Sequence, residues 1–182
     1  YGVIGFVPFI NRSLGAGNRR GEVKVMMNYP LLLTNFMQHA AKYYPDKEIV
    51  SVYTTGTFRY TYADWYKRTC QLAGTLRAFG IQKGDRVASF SLNNHRHLEL
   101  YFGVPCMGAV LHTLNIRLSV EHLVYIINHA DYRILFIDED VYFLIEPFKD
   151  QLKTVELYVI LSQSGVMPQT TLSPAVLYDD WI

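Results

Sequence analysis

Apolar side chains recur along this chain with two alternating periods. In "LLLTNFMQHAAKYYPD" Leu32, Phe36, Ala40 and Tyr43 fall on one helical face, and Pro45 closes the segment by disfavouring helical geometry in the residue before it. "EIVSVY" and "FRYTY", β-branched and aromatic, flank Thr55-Gly56-Thr57 and predict a hairpin. From Tyr62 the period returns to 3.6: Trp65, Thr69, Leu72, Leu76 and Phe79 share a face, with Thr61 as N-cap and Gly80 as the left-handed stop. The chain then alternates. "KGDRVASFSL" predicts a strand after a Gly84-Asp85 turn, and Asn93-Asn94 caps a helix over Leu98, Tyr101 and Phe102 that Pro105 kinks or ends. "AVLHTL" reads as strand, "SVEHLVYIINHA" as helix opened by Ser119, "RILFID" as strand, "VYFLIEPFKDQL" as helix and "VELYVIL" as strand.

This βαβαβ succession predicts an α/β fold, a mainly parallel sheet joined by right-handed crossovers and flanked by helices. The strands are apolar at successive positions, as burial on both faces requires. After Leu161 a polar loop, "SQSGVMPQTTLSP", precedes a further element beginning at "AVLYDDWI". Residues 1–28 read as an amino-terminal extension: "NRSLGAGNRRG" lacks apolar periodicity and resembles a linker more than a phosphate cradle, since no helix follows Gly21. The apolar "YGVIGFVPFI" is too short to span a bilayer about 30 Å thick, so it predicts a clasp for a second copy of the chain.

With half its residues hydrophobic and a net charge of +1, the chain is a folding sequence without a broad field for nucleic acid or an anionic membrane. Any anion binding is therefore local. The two cysteines, Cys70 and Cys106, are distant in sequence and form no metal or disulfide framework, which suits a reducing cytoplasm. No metal site is expected from His95 and His97 or from His122 and His129, because neither pair has ligand spacing.

Ligands of open parallel sheets settle beyond the carboxyl ends of the strands. That rule singles out Asn93-Asn94-His95, Asn115 with Arg117, Asp138-Glu139-Asp140 and Ser162-Gln163-Ser164. Arg117 is the strongest anion contact among them, being always charged and able to grip phosphate through two parallel hydrogen bonds. An ion pair with an acidic neighbour is its structural alternative. The acidic triplet is expected to cap the helix after it rather than hold Mg²⁺. No G-x-S-x-G or G-x-x-x-x-G-K-[ST] motif occurs, so no catalytic residue is assigned.

In order and spacing, "YTYADWY", "GIQKGDRVA", "SLNNHRHLELYFGVPCMGAV" and "LNIRLSVEHLVYIINHAD" resemble the amino-terminal part of adenylate-forming acyl-CoA synthetases, with "MGAVLHTLNIRLS" most similar to the medium- and long-chain fatty acyl branch. The resemblance implies that residues 29–182 are part of an AMP-binding large domain, cut shortly before its phosphate loop and inactive alone. It implies a parent enzyme that joins a fatty acid to ATP with Mg²⁺ and passes the acyl group from acyl-AMP to CoA. A cytoplasmic or peripheral membrane location and a homodimer are expected besides, the first from cysteine usage and the second from the apolar amino terminus. Arg117 matches the family's Asn-x-Arg turn near the phosphate end of CoA, with Ile116 where proline is frequent; Asn94 and His97 match structural positions. A self-standing binding or dimerisation module, and a ligase for an aryl or amino acid, are the alternatives.

Overall fold

The computed structural model describes residues 30–182. The linker and clasp expected in residues 1–28 lie outside them. Helix α1 (Leu33–Tyr43) leads to the antiparallel hairpin β1 (Glu48–Tyr53) and β2 (Gly56–Thr61), followed by α2 (Tyr62–Phe79). Then come β3 (Arg86–Phe90), α3 (His95–Cys106), β4 (Val110–Thr113), α4 (Val120–Ala130), β5 (Ile134–Asp138), β6 (Leu157–Leu161), β7 (Ala175–Leu177) and the single turn α5 (Tyr178–Trp181). The last five strands form one sheet in the order β4-β3-β5-β6-β7, with every neighbouring pair parallel.

Local signals set the helix ends. Thr61 Oγ1 accepts the Asp64 amide while Asp64 accepts the Thr61 amide, a reciprocal capping box. At the other end Gly80 takes φ 100°, which a side chain would strain. Asn94 caps α3 by accepting the His97 amide, Ser119 caps α4 by accepting the His122 amide, and α3 ends directly after Pro105.

The sheet is covered on both faces. Ala88, Phe90, Leu135, Ile137 and Ile160 face α4 through Leu123 and Ile127, whereas Val87, Ile134, Phe136 and Val159 face α2 and α3 through Leu72, Leu76, Leu100 and Val104. Each such side chain fully removed from water contributes about 1.5–3 kcal/mol, so these two layers dominate the stability. A third cluster of Met37, Tyr60 and Trp65 joins α1, the hairpin and α2.

Two expectations need correction. Residues 141–152 form no α-helix but two 3₁₀ turns, Tyr142–Leu144 and Glu146–Gln151, because Pro147 lacks an amide proton and its ring would clash inside an α-helix. Burial on both faces holds for β5 and β6, every residue of which is buried, but β4 and β7 are edge strands, β4 largely exposed and β7 half-buried.

Candidate functional site at the carboxyl rim of the sheet

Because all five strands run the same way, their carboxyl ends share one rim. Strand order reverses direction between β3 and β5, the switch point at which such sheets open a crevice. Here polar side chains fill it. Asp138, 1% exposed at the end of β5, accepts from Asn94 Nδ2 at 2.7 Å, Ser91 Oγ at 3.2 Å and the Asp140 amide at 3.2 Å. Burial pushes its carboxyl above the usual range, partly offset by the Asp140 amide and the Ser91 hydroxyl. Asn94 thus ties the start of α3 to the end of β5.

The rest of the acidic triplet is likewise spent on the rim. Glu139 accepts from Ser162 Oγ and the Gln163 amide, both at 2.6 Å, and Asp140 accepts from Gln163 Nε2 at 3.1 Å. Contrary to the cap expected there, Val141 precedes the first 3₁₀ turn and no side chain caps it. Asp138, Glu139 and Asp140 pin neighbouring loops instead.

Arg117 stands apart from this chain of contacts, exposed in the turn after β4. Asn115 holds that turn: its Oδ1 accepts the Arg117 amide at 2.9 Å and its carbonyl accepts the Leu118 amide at 3.2 Å. An asparagine turn thereby supplies the rigidity that Ile116 cannot. Among the described residues the Arg117 guanidinium makes no ion pair, so the salt-bridge alternative has no partner there.

His95 and His97 are buried and point to different neighbours. His95 Nδ1 lies 2.8 Å from Tyr53 Oη, and its ring stacks on Phe58 with centroids 3.9 Å apart. Burial, reinforced by the Arg96 charge, pulls its pKa down to about 3, so the ring is neutral near pH 7. His97 Nε2 meets Ser89 Oγ at 3.0 Å inside the core. His122 and His129 are exposed on α4, and no cluster of three or more metal-ligating side chains exists among the described residues.

Sequence reasoning missed a partly buried ionic network. Glu99, fully buried on α3, accepts from Arg68 Nε at 2.8 Å and from Tyr178 Oη at 2.7 Å. Asp179 accepts from Arg68 Nη2 at 2.6 Å and from Arg96 Nε and Nη2 at 2.9 and 2.6 Å. Despite burial, those two guanidinium groups hold the Asp179 carboxyl below its ordinary range. Tyr53, Thr55, Phe58, His95, Arg96 and Gln163 line an open cavity of about 200 Å³ where the hairpin tip meets α3. The available signal was a pair of charges, Arg96 and Glu99, in a helix with no other Lys, Arg, Asp or Glu.

The description "AMP-binding enzyme" belongs to a family model that matches residues 37–181. The chain belongs to that family. In sequence the chain is 46% identical over 141 residues to a long-chain-fatty-acid–CoA ligase of Thermus thermophilus, covering 77% of the chain and 26% of the relative. It is 39% identical to a 3-methylmercaptopropionyl-CoA ligase of Ruegeria pomeroyi and 32% identical to a medium-chain-fatty-acid–CoA ligase of Ectopseudomonas oleovorans, each over 158 residues, 86% of the chain and 29% of the relative. The chain thus spans under a third of the length of these curated relatives. A fatty acyl CoA synthetase of Mycobacterium tuberculosis shares its fold, with a TM-score of 0.62 at 21% identity, over 78% of this chain and 31% of that one. Coronafacic acid ligase of Pectobacterium brasiliense does so with a TM-score of 0.69 at 15% identity, over 81% and 28%. No helix among the described residues is long and apolar enough to cross a membrane.

Proposed function

We propose that this chain is the amino-terminal α/β layer of an ATP-dependent fatty acid–CoA ligase, which condenses a fatty acid with ATP to acyl-AMP and pyrophosphate and then transfers the acyl group to the CoA thiol. The observation that carries this reading is the 46% identity to a long-chain-fatty-acid–CoA ligase across most of the chain. It favours the ligase over a self-standing binding module. Mg²⁺, which would offset phosphate charge in the first step, finds no fitting ligand set among the described residues, since the Asp138, Glu139 and Asp140 carboxylates are already engaged by rim donors. Pyrophosphate exchange into ATP tests the proposal. The complete ligase is expected to exchange only with medium- or long-chain fatty acids, and the 182-residue chain alone with none. Exchange driven by an aryl acid and not by fatty acids would support the second reading, which the similarity to benzoate–CoA ligase of Arabidopsis thaliana, 36% over 111 residues, keeps in play.

Within this reading Arg117 contacts a CoA phosphate. Its support is the position: a permanent charge beyond the carboxyl end of β4, on a turn fixed by Asn115 and without an ion-pair partner among the described residues. A charge-assisted hydrogen bond contributes about 1.5–3 kcal/mol. Arg117→Ala in the complete ligase is therefore expected to raise KM for CoA by about tenfold or more while KM for ATP holds, in steady-state assays that vary each substrate separately. An unchanged CoA dependence would remove Arg117 from the site.

A further inference from the structure

Cys70 on α2 and Cys106 on α3 both pack against one small core cluster beside the crossing of these helices. At that crossing the backbones are close. A methyl group on Gly103 would stand 2.7 Å from Leu72 Cδ2 and 3.3 Å from the Thr69 carbonyl oxygen, and the Trp65 and Phe102 rings meet edge to face with centroids 4.8 Å apart. Cys70 directly follows Thr69, and Cys106 lies just under one helical turn beyond Gly103. Both side chains pack against the small core of Met37, Tyr60 and Trp65, and both are free, half-buried thiols. Burial pushes each thiol above the ordinary cysteine value; hydrogen bonds from Tyr66 to Cys70 and from Thr34 to Cys106 act the other way, and the charge of a Cys70 thiolate raises Cys106 further.

We propose that Cys70 and Cys106 form a redox-closable dithiol, which a low-molecular-weight disulfide oxidises to an intramolecular bond stapling α2 to α3. The steps balance as a two-electron exchange. One protein thiolate attacks a sulfur of glutathione disulfide, forming a mixed disulfide and expelling one glutathione thiolate. The second protein thiolate attacks the protein sulfur of that mixed disulfide and expels the other glutathione, and the two expelled thiolates take up the two protons lost by the cysteines. Closure requires Cα atoms within the reach of a disulfide, which tight packing at Gly103 favours. The staple would fix the helix that feeds β4 and its rim turn. This inference stands on the helix crossing alone and is independent of the ligase reading.

The test is incubation of the folded, reduced chain with glutathione disulfide near pH 8.5, about the ordinary thiol value, where thiolate is present. Intact mass is expected to fall by about 2 Da, reactive thiols from two to none, and dithiothreitol to reverse both. Cys70→Ser and Cys106→Ser chains should each stop at a mixed disulfide, gaining about 305 Da. A native chain that keeps both thiols, accumulates glutathione adducts, links to a second copy, or closes only in urea would overturn the proposal.

Discussion

Glu99→Ala is expected to lower the free energy of unfolding by about 3–5 kcal/mol, a large part of the 5–15 kcal/mol that an ordinary domain possesses. The reason is what the deletion leaves behind. Glu99 is fully buried and accepts from Arg68 Nε, Arg68 Nη2 and Tyr178 Oη at 2.8, 3.3 and 2.7 Å. Without it Arg68 keeps Asp179 alone, and the fully buried Tyr178 hydroxyl loses its acceptor, so a half-buried cation and a buried donor are both under-compensated. Two acids and two arginines, Glu99, Asp179, Arg68 and Arg96, balance in charge only as a set. The exposed pair of Arg133 with Glu156 has the same 2.8 Å contact, yet water screens it, and Glu156→Ala should leave the midpoint nearly unchanged. Urea unfolding followed by circular dichroism separates the two: a Glu99→Ala loss below about 1 kcal/mol at unchanged m would mean that the network does not hold α5 on α2 and α3.

Much of the fold was legible because its signals are local. Thr61, Asp64 and Gly80 delimit α2 through contacts spanning at most one turn, and Asn94 and Ser119 cap their helices in the same way. Where reading failed, periodicity itself misled. Val141, Ile145, Phe148 and Leu152 recur at helical spacing and are all buried, yet Pro147 diverts the backbone into 3₁₀ turns that still deliver those side chains to the sheet. The rim was locatable, since strand direction follows from alternation and places Arg117, Asn94 and Asp138 at one end. Their partners were not. Asp138 meets Asn94 across 44 residues, and Arg68 meets Asp179 across 111, so only the three-dimensional path pairs these charges. The same holds for Cys70 and Cys106, whose sequence separation said nothing of the helix crossing that brings them to one cluster.

Gly103→Ala is expected to destabilise by about 1–3 kcal/mol, although an alanine replacing a glycine inside a helix ordinarily gains up to about 1 kcal/mol of propensity. The local geometry decides the sign. The new methyl would meet Leu72 Cδ2 at 2.7 Å and the Thr69 carbonyl oxygen at 3.3 Å; the first is a side chain with no exposed surface into which to retreat, and the second is helix backbone. Pairing the change with Leu72→Ala provides the internal check. Leu72→Ala alone should cost about 2–5 kcal/mol through its cavity, but in the double variant the added methyl occupies part of that cavity and no longer clashes. The two losses should then fall short of additive by about 1 kcal/mol or more in a double-mutant cycle. If Gly103→Ala stabilised the chain instead, propensity would have outweighed contact. The α2/α3 crossing would then be looser than its 2.7 Å approach implies, and the packing that favours a Cys70–Cys106 bond would lose its support.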